Sequence, residues 1–128
     1  MMEPKEIKNL SPSVYAFVGD AVYGLYVRTA LSEINRPSKE LHRLSVESVN
    51  ASAQADAFQM IEPLLTEEET DIFKRGRNFH TNNTPKHSSP AEYHTATGLE
   101  TLFGYLYLTN RHSRLNELFS VIWKNQKP

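Results

Sequence analysis

Two carboxylates are distinguished by their surroundings. Asp20 lies in Ala16-Phe17-Val18-Gly19-Asp20-Ala21-Val22, and Glu100 in Thr97-Gly98-Leu99-Glu100-Thr101-Leu102-Phe103-Gly104. Each interrupts a strongly apolar run, where an ionised group is costly unless it is paired or bound to a metal. For either acid alone, the plainer alternative is a partly exposed side chain or half of a buried ion pair. Two such acids, each on a glycine-bearing apolar segment, favour a shared cation. The chain has no cysteine and no paired-histidine spacing, so the donors are oxygens. That set suits Mg²⁺ or Mn²⁺ rather than zinc. Such ions serve phosphoryl chemistry: they lower the pKa of an attacking water, orient a phosphodiester and stabilise the leaving 3′ oxygen. On the residues alone, the reading ends at a helical, Mg²⁺-dependent phosphodiester or nucleotide hydrolase.

The elements that must position these acids read as helices throughout. Ser11 is a candidate N-cap with Pro12 at the first helical position. Val14, Phe17, Val18, Ala21, Val22 and Leu25 then follow a helical period, to about Arg28 or beyond. Gly19 and Gly24 are unfavourable inside a helix by about 1 kcal/mol each, which suggests close approach of a backbone or a ligand. A second helix after Pro37 turns Leu41, Leu44, Val46 and Val49 inward and continues through Asn50–Ala57 towards Ile61. Leu65-Thr66-Glu67-Glu68-Glu69 resembles a cap with acids in the first turn, opening a short helix to Arg75. The stretch 76–90 reads as a loop, and a further helix begins near Pro90-Ala91-Glu92. Asn110-Arg111-His112 is a turn, and Arg114–Trp123 a terminal helix. No segment alternates as a strand would. The fold class is all-α.

Composition sets the limits. With 128 residues, 39% apolar and 23% charged, the chain reads as one folded domain spanning 1–128, with no room for a separate RNA-binding or substrate domain. The N-terminus lacks an apolar signal region and the longest apolar stretch, Leu102–Leu108, is far short of a membrane span. A cytoplasmic location without membrane contact is the expectation. The net charge of −1 conceals a change of sign along the chain. Residues 44–73 hold seven acids and no base, whereas residues 74–91 hold Lys74, Arg75, Arg77 and Lys86, two histidines and no acid. Acids at a helix start and bases at its end account for part of this; phosphate binding accounts for a basic loop as well.

The two acidic segments carry a resemblance more specific than composition. Phe17-Val18-Gly19-Asp20-Ala21-Val22 resembles the signature helix of the ribonuclease III catalytic domain, and Thr97 to Leu108 its second metal-binding helix. Leu41-His42-Arg43-Leu44-Ser45, Val49 to Ala55, Leu65 to Glu69 and Arg75-Gly76-Arg77-Asn78 resemble Mini-ribonuclease 3, the short family without a double-stranded RNA-binding domain. The resemblance covers roughly Pro12 to Leu108. It implies an all-helical homodimer that cleaves double-stranded RNA with Mg²⁺, leaving 5′ phosphates and two-nucleotide 3′ overhangs. It also implies a role in maturing the ends of the large-subunit (23S) ribosomal RNA precursor, and leaves room for a ribosomal-protein helper. Asp20 and Glu100 fall on the family's essential catalytic and metal-ligand positions. Phe17, Val18, Gly19 and Val22 fall on the helix through which the family dimerises.

The long enzymes carry further carboxylates where this chain has Ala16 and Thr97, on the same helical faces as the retained acids. The expected site therefore has fewer charged ligands. Lys74, Arg75, Arg77 and Lys86 are the candidate phosphate contacts, giving salt-dependent affinity for a duplex read by shape. The five histidines form no metal or nucleophile motif. The six tyrosines read as core or interface residues. Two alternatives remain open: a catalytically inert module that binds structured RNA, and a helical nucleotide pyrophosphohydrolase.

Overall fold

Short-range side-chain chemistry sets the helix boundaries. Thr66 and Glu69 form a capping box, and so do Ser89 and Glu92: each hydroxyl accepts from the backbone three residues on, and each carboxylate reaches back. Asn50 caps with its side chain, its Oδ1 accepting from the Ala53 amide at 2.8 Å. The helix expected to continue through Asn50 is therefore two helices, because the Asn50 backbone is extended there. Ser11 occupies an N-cap position, but its side chain makes no cap bond; Pro12 alone marks that start. At the far end of the second acidic helix, Asn110 is left-handed with φ 60°. The Arg111 amide there donates to Leu106 at 2.8 Å and the Asn110 amide to Tyr107 at 3.0 Å, closing the last turn.

The computed structural model describes residues 2–79 and 89–126. They form α1 (Pro4–Ile7), α2 (Pro12–Leu31), α3 (Ser38–Val49), α4 (Ala51–Ile61), α5 (Glu67–Arg77), α6 (Pro90–Leu108) and α7 (His112–Gln126), with a 3₁₀ turn at Glu62–Leu64. Of the expected loop 76–90, Gly76 and Arg77 belong to α5; residues 80–88 lie outside the described residues. No described helix is long and apolar enough to cross a membrane.

Helices α2 and α6 cross at the centre, backbone against backbone. A Cβ on Gly19 would lie 1.6 Å from the Glu100 carbonyl oxygen, and one on Gly104 would lie 1.8 Å from that of Tyr15. Only glycine permits so close an approach. A second crossing sets α5 on α6, with Gly98 against the Phe73 ring and Gly76 against the Thr101 side chain. Helix α4 packs on α6 and α7, and α3 on α2. The core between them joins Tyr15, Tyr23, Val27 and Leu31 of α2 to Leu99, Leu102, Phe103 and Leu106 of α6. Phe58 of α4 stacks on Phe73 of α5 with ring centroids 3.7 Å apart.

Two inward faces differ from the sequence expectation. On α2 the buried residues are Tyr15, Gly19, Val22, Tyr23, Val27 and Leu31, so that Val22 faces inward as expected while Val14, Phe17 and Leu25 are exposed. On α3, Val46 faces outward, and Leu44, Ser45 and Ser48 are buried. Both helices are apolar or small on more than one side, so periodicity alone leaves the inward face undecided.

Candidate functional site

The α2–α6 crossing places the two acids together. Asp20 follows Gly19, and Glu100 supplies the carbonyl against which Gly19 packs. The two side chains lie close enough for the Asp20 charge to act on the Glu100 carboxyl. Burial foremost, and then the neighbouring Asp20 carboxylate, push the Glu100 carboxyl up to about 7; a hydrogen bond from Gln54 opposes the rise. Gln54 Nε2 donates to Glu100 Oε2 at 3.1 Å and to the Val49 carbonyl at 2.9 Å. Tyr23, one helical turn beyond Asp20, has its hydroxyl pushed well up, by burial first and by the Glu100 charge second.

These groups fit a hard divalent cation. Two neighbouring carboxylates repel when both are ionised, and a cation between them removes that penalty. Among the described residues, the buried side-chain polar atoms without a partner are Tyr23 Oη and Gln54 Oε1, both on residues that interact with Glu100. The donors are oxygens, the class that Mg²⁺ takes. Among the described residues no group of three or more Asp, Glu, His or Cys side chains gathers. Ala16 adds no donor, and the Thr97 hydroxyl is turned back to the Tyr93 carbonyl at 3.0 Å.

A groove of about 370 Å³ leads away from Asp20, lined by Ala21, Gly24, Leu25, Arg28, Ser45 and Val49. Asp20, Gly24 and Arg28 succeed one another at four-residue spacing, so they share one face of α2. A Cβ on Gly24 would meet nothing within 4 Å. Its expected close contact is absent, and its smallness widens the groove instead. Arg28 forms no ion pair among the described residues. Sequence reasoning passed over both Gln54 and Arg28. A lone amide within an alanine run, and a cation two turns from Asp20, were the available signals.

The basic candidates divide. Lys74 is exposed at the end of α5. Arg75 donates to the Leu10 carbonyl at 3.4 Å, and Arg77 lies over the Phe73 ring with its Nε on Asn78 Oδ1. The α5–α6 crossing at Gly98 and Thr101 lies on a different face of α6 from Glu100, given about 3.6 residues per turn. Lys86 lies outside the described residues. The preceding acids are partly structural. Glu68 binds Arg111 and the Tyr105 hydroxyl, at 2.7 and 2.6 Å. Glu69, 2% exposed, is held by Arg114 through two bonds of 2.9 Å.

Of the residues expected at a dimer contact, Phe17 is 81% exposed and Val18 half-buried. Gly19 and Val22 are buried within the chain. Gly19 is covered by the α6 backbone, and Val22 is largely buried, reaching the surface where it lines a groove. Beside them, Val22, Leu25, Tyr26, Tyr107 and Phe119 line an open, largely apolar groove of about 480 Å³.

Residues 13–111 match the Ribonuclease III domain family. The Mini-ribonuclease 3 of Thermoanaerobacter sp. is 44% identical over 122 residues, covering 94% of this chain and 86% of that protein. The Mini-ribonuclease 3 of Clostridium tetani is 39% identical over 120 residues, covering 92% and 80%. The crystal structure of a Fusobacterium nucleatum protein shares the fold with a TM-score of 0.85 at 28% identity, covering 94% of this chain and 98% of that one. The all-α architecture is consistent with the ribonuclease III catalytic domain.

Proposed function

The chain belongs to the Mini-ribonuclease 3 family of ribonuclease III-like proteins, and on that premise we propose that it is a Mg²⁺-dependent endoribonuclease cutting double-stranded RNA. The observation that carries the reading is the juxtaposition of Asp20 and Glu100 at the α2–α6 crossing, where the Gly19 backbone meets that of Glu100 and the two acids act on each other electrostatically. Both would hold the cation, Mg²⁺ or in its place Mn²⁺. When bound, the ion supplies an activated water and charge stabilisation at the leaving 3′ oxygen, giving 5′-phosphate products. Asp20 and Glu100 fix where that chemistry occurs. The groove running to Arg28 receives the neighbouring backbone, and Lys74, Arg75, Arg77 and Lys86 supply further phosphate contacts.

Cutting both strands needs two sites, and a two-fold dimer supplies them. Phe17, Val18, Val14 and Leu25 form the face that meets a second copy. An exposed Phe17 ring and an apolar groove lined by Leu25 of the same helix support this reading. The substrate is a duplex segment of structured RNA, and the end regions of the 23S ribosomal RNA precursor are the natural one for this family. A ribosomal protein presenting that precursor is compatible with the reading.

The test is cleavage of a structured large-subunit precursor with and without Mg²⁺, with product ends mapped. Asp20→Asn and Glu100→Gln are expected to lower kcat by at least about a hundredfold, with circular dichroism and assembly unchanged. Wild-type rates from either variant would remove the site assignment. Undetectable cleavage by the unaltered chain in Mg²⁺ and Mn²⁺ would return it to an inert module that binds structured RNA, the reading that Ala16 and Thr97 favour.

A further inference from the structure

Gln54 is the one polar side chain among the buried residues of α4, alongside Ala57, Phe58 and Ile61. It is 3% exposed, and its amide has a divided role. Both Nε2 hydrogens are committed, one to the Val49 carbonyl at the end of α3 and one to Glu100 Oε2 on α6. The same side chain thus ties the α3–α4 corner, itself set by the Asn50 cap, to one oxygen of Glu100. The other end of the amide, Oε1, is buried and accepts from no group of the protein among the described residues. A purely structural clamp would leave no such acceptor, because an unpaired buried oxygen is costly. An acceptor next to a carboxylate pair suits the water of a hydrated ion, and Mg²⁺ keeps several of its waters when bound.

We propose that Gln54 is the positioning residue of the cation site: Nε2 fixes Glu100, and Oε1 accepts a hydrogen bond from a water of the ion held by Asp20 and Glu100. This rests on the reading of those two acids as cation ligands. Hydrogen-bond partners of metal-ligating groups govern metal affinity by about 10–100-fold. Gln54 therefore substitutes by geometry for part of the charge that Ala16 and Thr97 do not provide.

The experiment is calorimetric titration of the full chain with Mn²⁺ alone, for wild type and Gln54→Leu. It is paired with kcat and KM for duplex RNA across a Mg²⁺ series. Gln54→Leu keeps the buried volume and removes both functions of the amide. It is expected to bind Mn²⁺ at least about tenfold more weakly. Its KM for RNA should stay unchanged, and its reduced kcat should recover as Mg²⁺ is raised. Equal Mn²⁺ affinity in the two proteins, or no Mn²⁺ binding by wild type, would overturn the proposal. If Gln54→Leu does not fold, Gln54→Met, unbranched and of similar length, takes its place; Mn²⁺ binding at least about tenfold weaker is again expected, and affinity equal to wild type overturns the proposal. Mn²⁺ binding that depends on Gln54 without RNA cleavage would retire the nuclease reading and leave Gln54 in place. Cleavage with affinity indifferent to Gln54 would do the reverse.

Discussion

Glu100 is the residue on which burial, charge and hydrogen bonding converge with opposed signs. Burial and Asp20 favour its neutral form, and Gln54 favours the charged one. Its folded value of about 7 exceeds the ordinary carboxylate value, so between roughly pH 4.5 and 7 the folded chain holds a proton that the unfolded chain has released. The associated stability is complete below the unfolded value and is lost as pH rises through the folded one. In cation-free buffer at pH 8, Glu100→Gln is expected to be more stable than wild type by on the order of 2 kcal/mol. Near pH 4 the two should unfold together. Urea denaturation at both pH values measures this, and an equal gap at the two would contradict it. Glu69 has the opposite sign: burial raises it, but bonds from Arg114 and Thr66 outweigh that and hold it below the usual range. Its contribution is present above the ordinary carboxylate value and fades as pH falls.

Among the elements, α2 and α6 decide both the fold and the site. Gly19→Ala would force a Cβ against the Glu100 carbonyl, and separating two packed helices to admit it should cost about 3 kcal/mol or more. Gly24→Ala, with open space around the added carbon, should be neutral or stabilising by up to about 1 kcal/mol. Equal effects from the two in denaturant unfolding would contradict the crossing as described. These glycines also show what the sequence could reveal. Glycine inside an apolar helix announced a close approach, and at Gly19, Gly98 and Gly104 that is what the fold contains. Gly24 carries the same local signal with no neighbour, because whether space is filled depends on another element. The inward face of α2 was hidden for a related reason. Its buried line includes two tyrosines and a glycine, whereas its exposed line is Val14, Phe17 and Leu25, which reads as the more hydrophobic face. The capping signals at Thr66 and Pro90 were legible because caps act over three residues. Gln54 was not, because its partner lies on a helix far along the chain.

For the molecule as a whole, the exposed apolar line on α2 is the feature a solitary chain does not account for. Phe17 is 81% and Leu25 62% exposed, and Leu25 also lines an apolar groove; exposed apolar surface of this kind marks an interaction surface. Phe17→Glu is therefore expected to convert a dimer to a monomer in light scattering while leaving helicity unchanged, and to abolish paired cuts on the two strands. A Phe17→Glu chain that remained dimeric would place the contact elsewhere. The glycine crossing has a consequence for how such a chain can change over generations. Any residue replacing Gly19 or Gly104 adds at least one carbon where a carbonyl already sits, so drift at these positions harms folding and the acid pair together. A lineage that lost cleavage yet kept a sound fold would do so more readily through the acids themselves. Inactive descendants should thus be recognisable by altered carboxylates above an untouched pair of glycines.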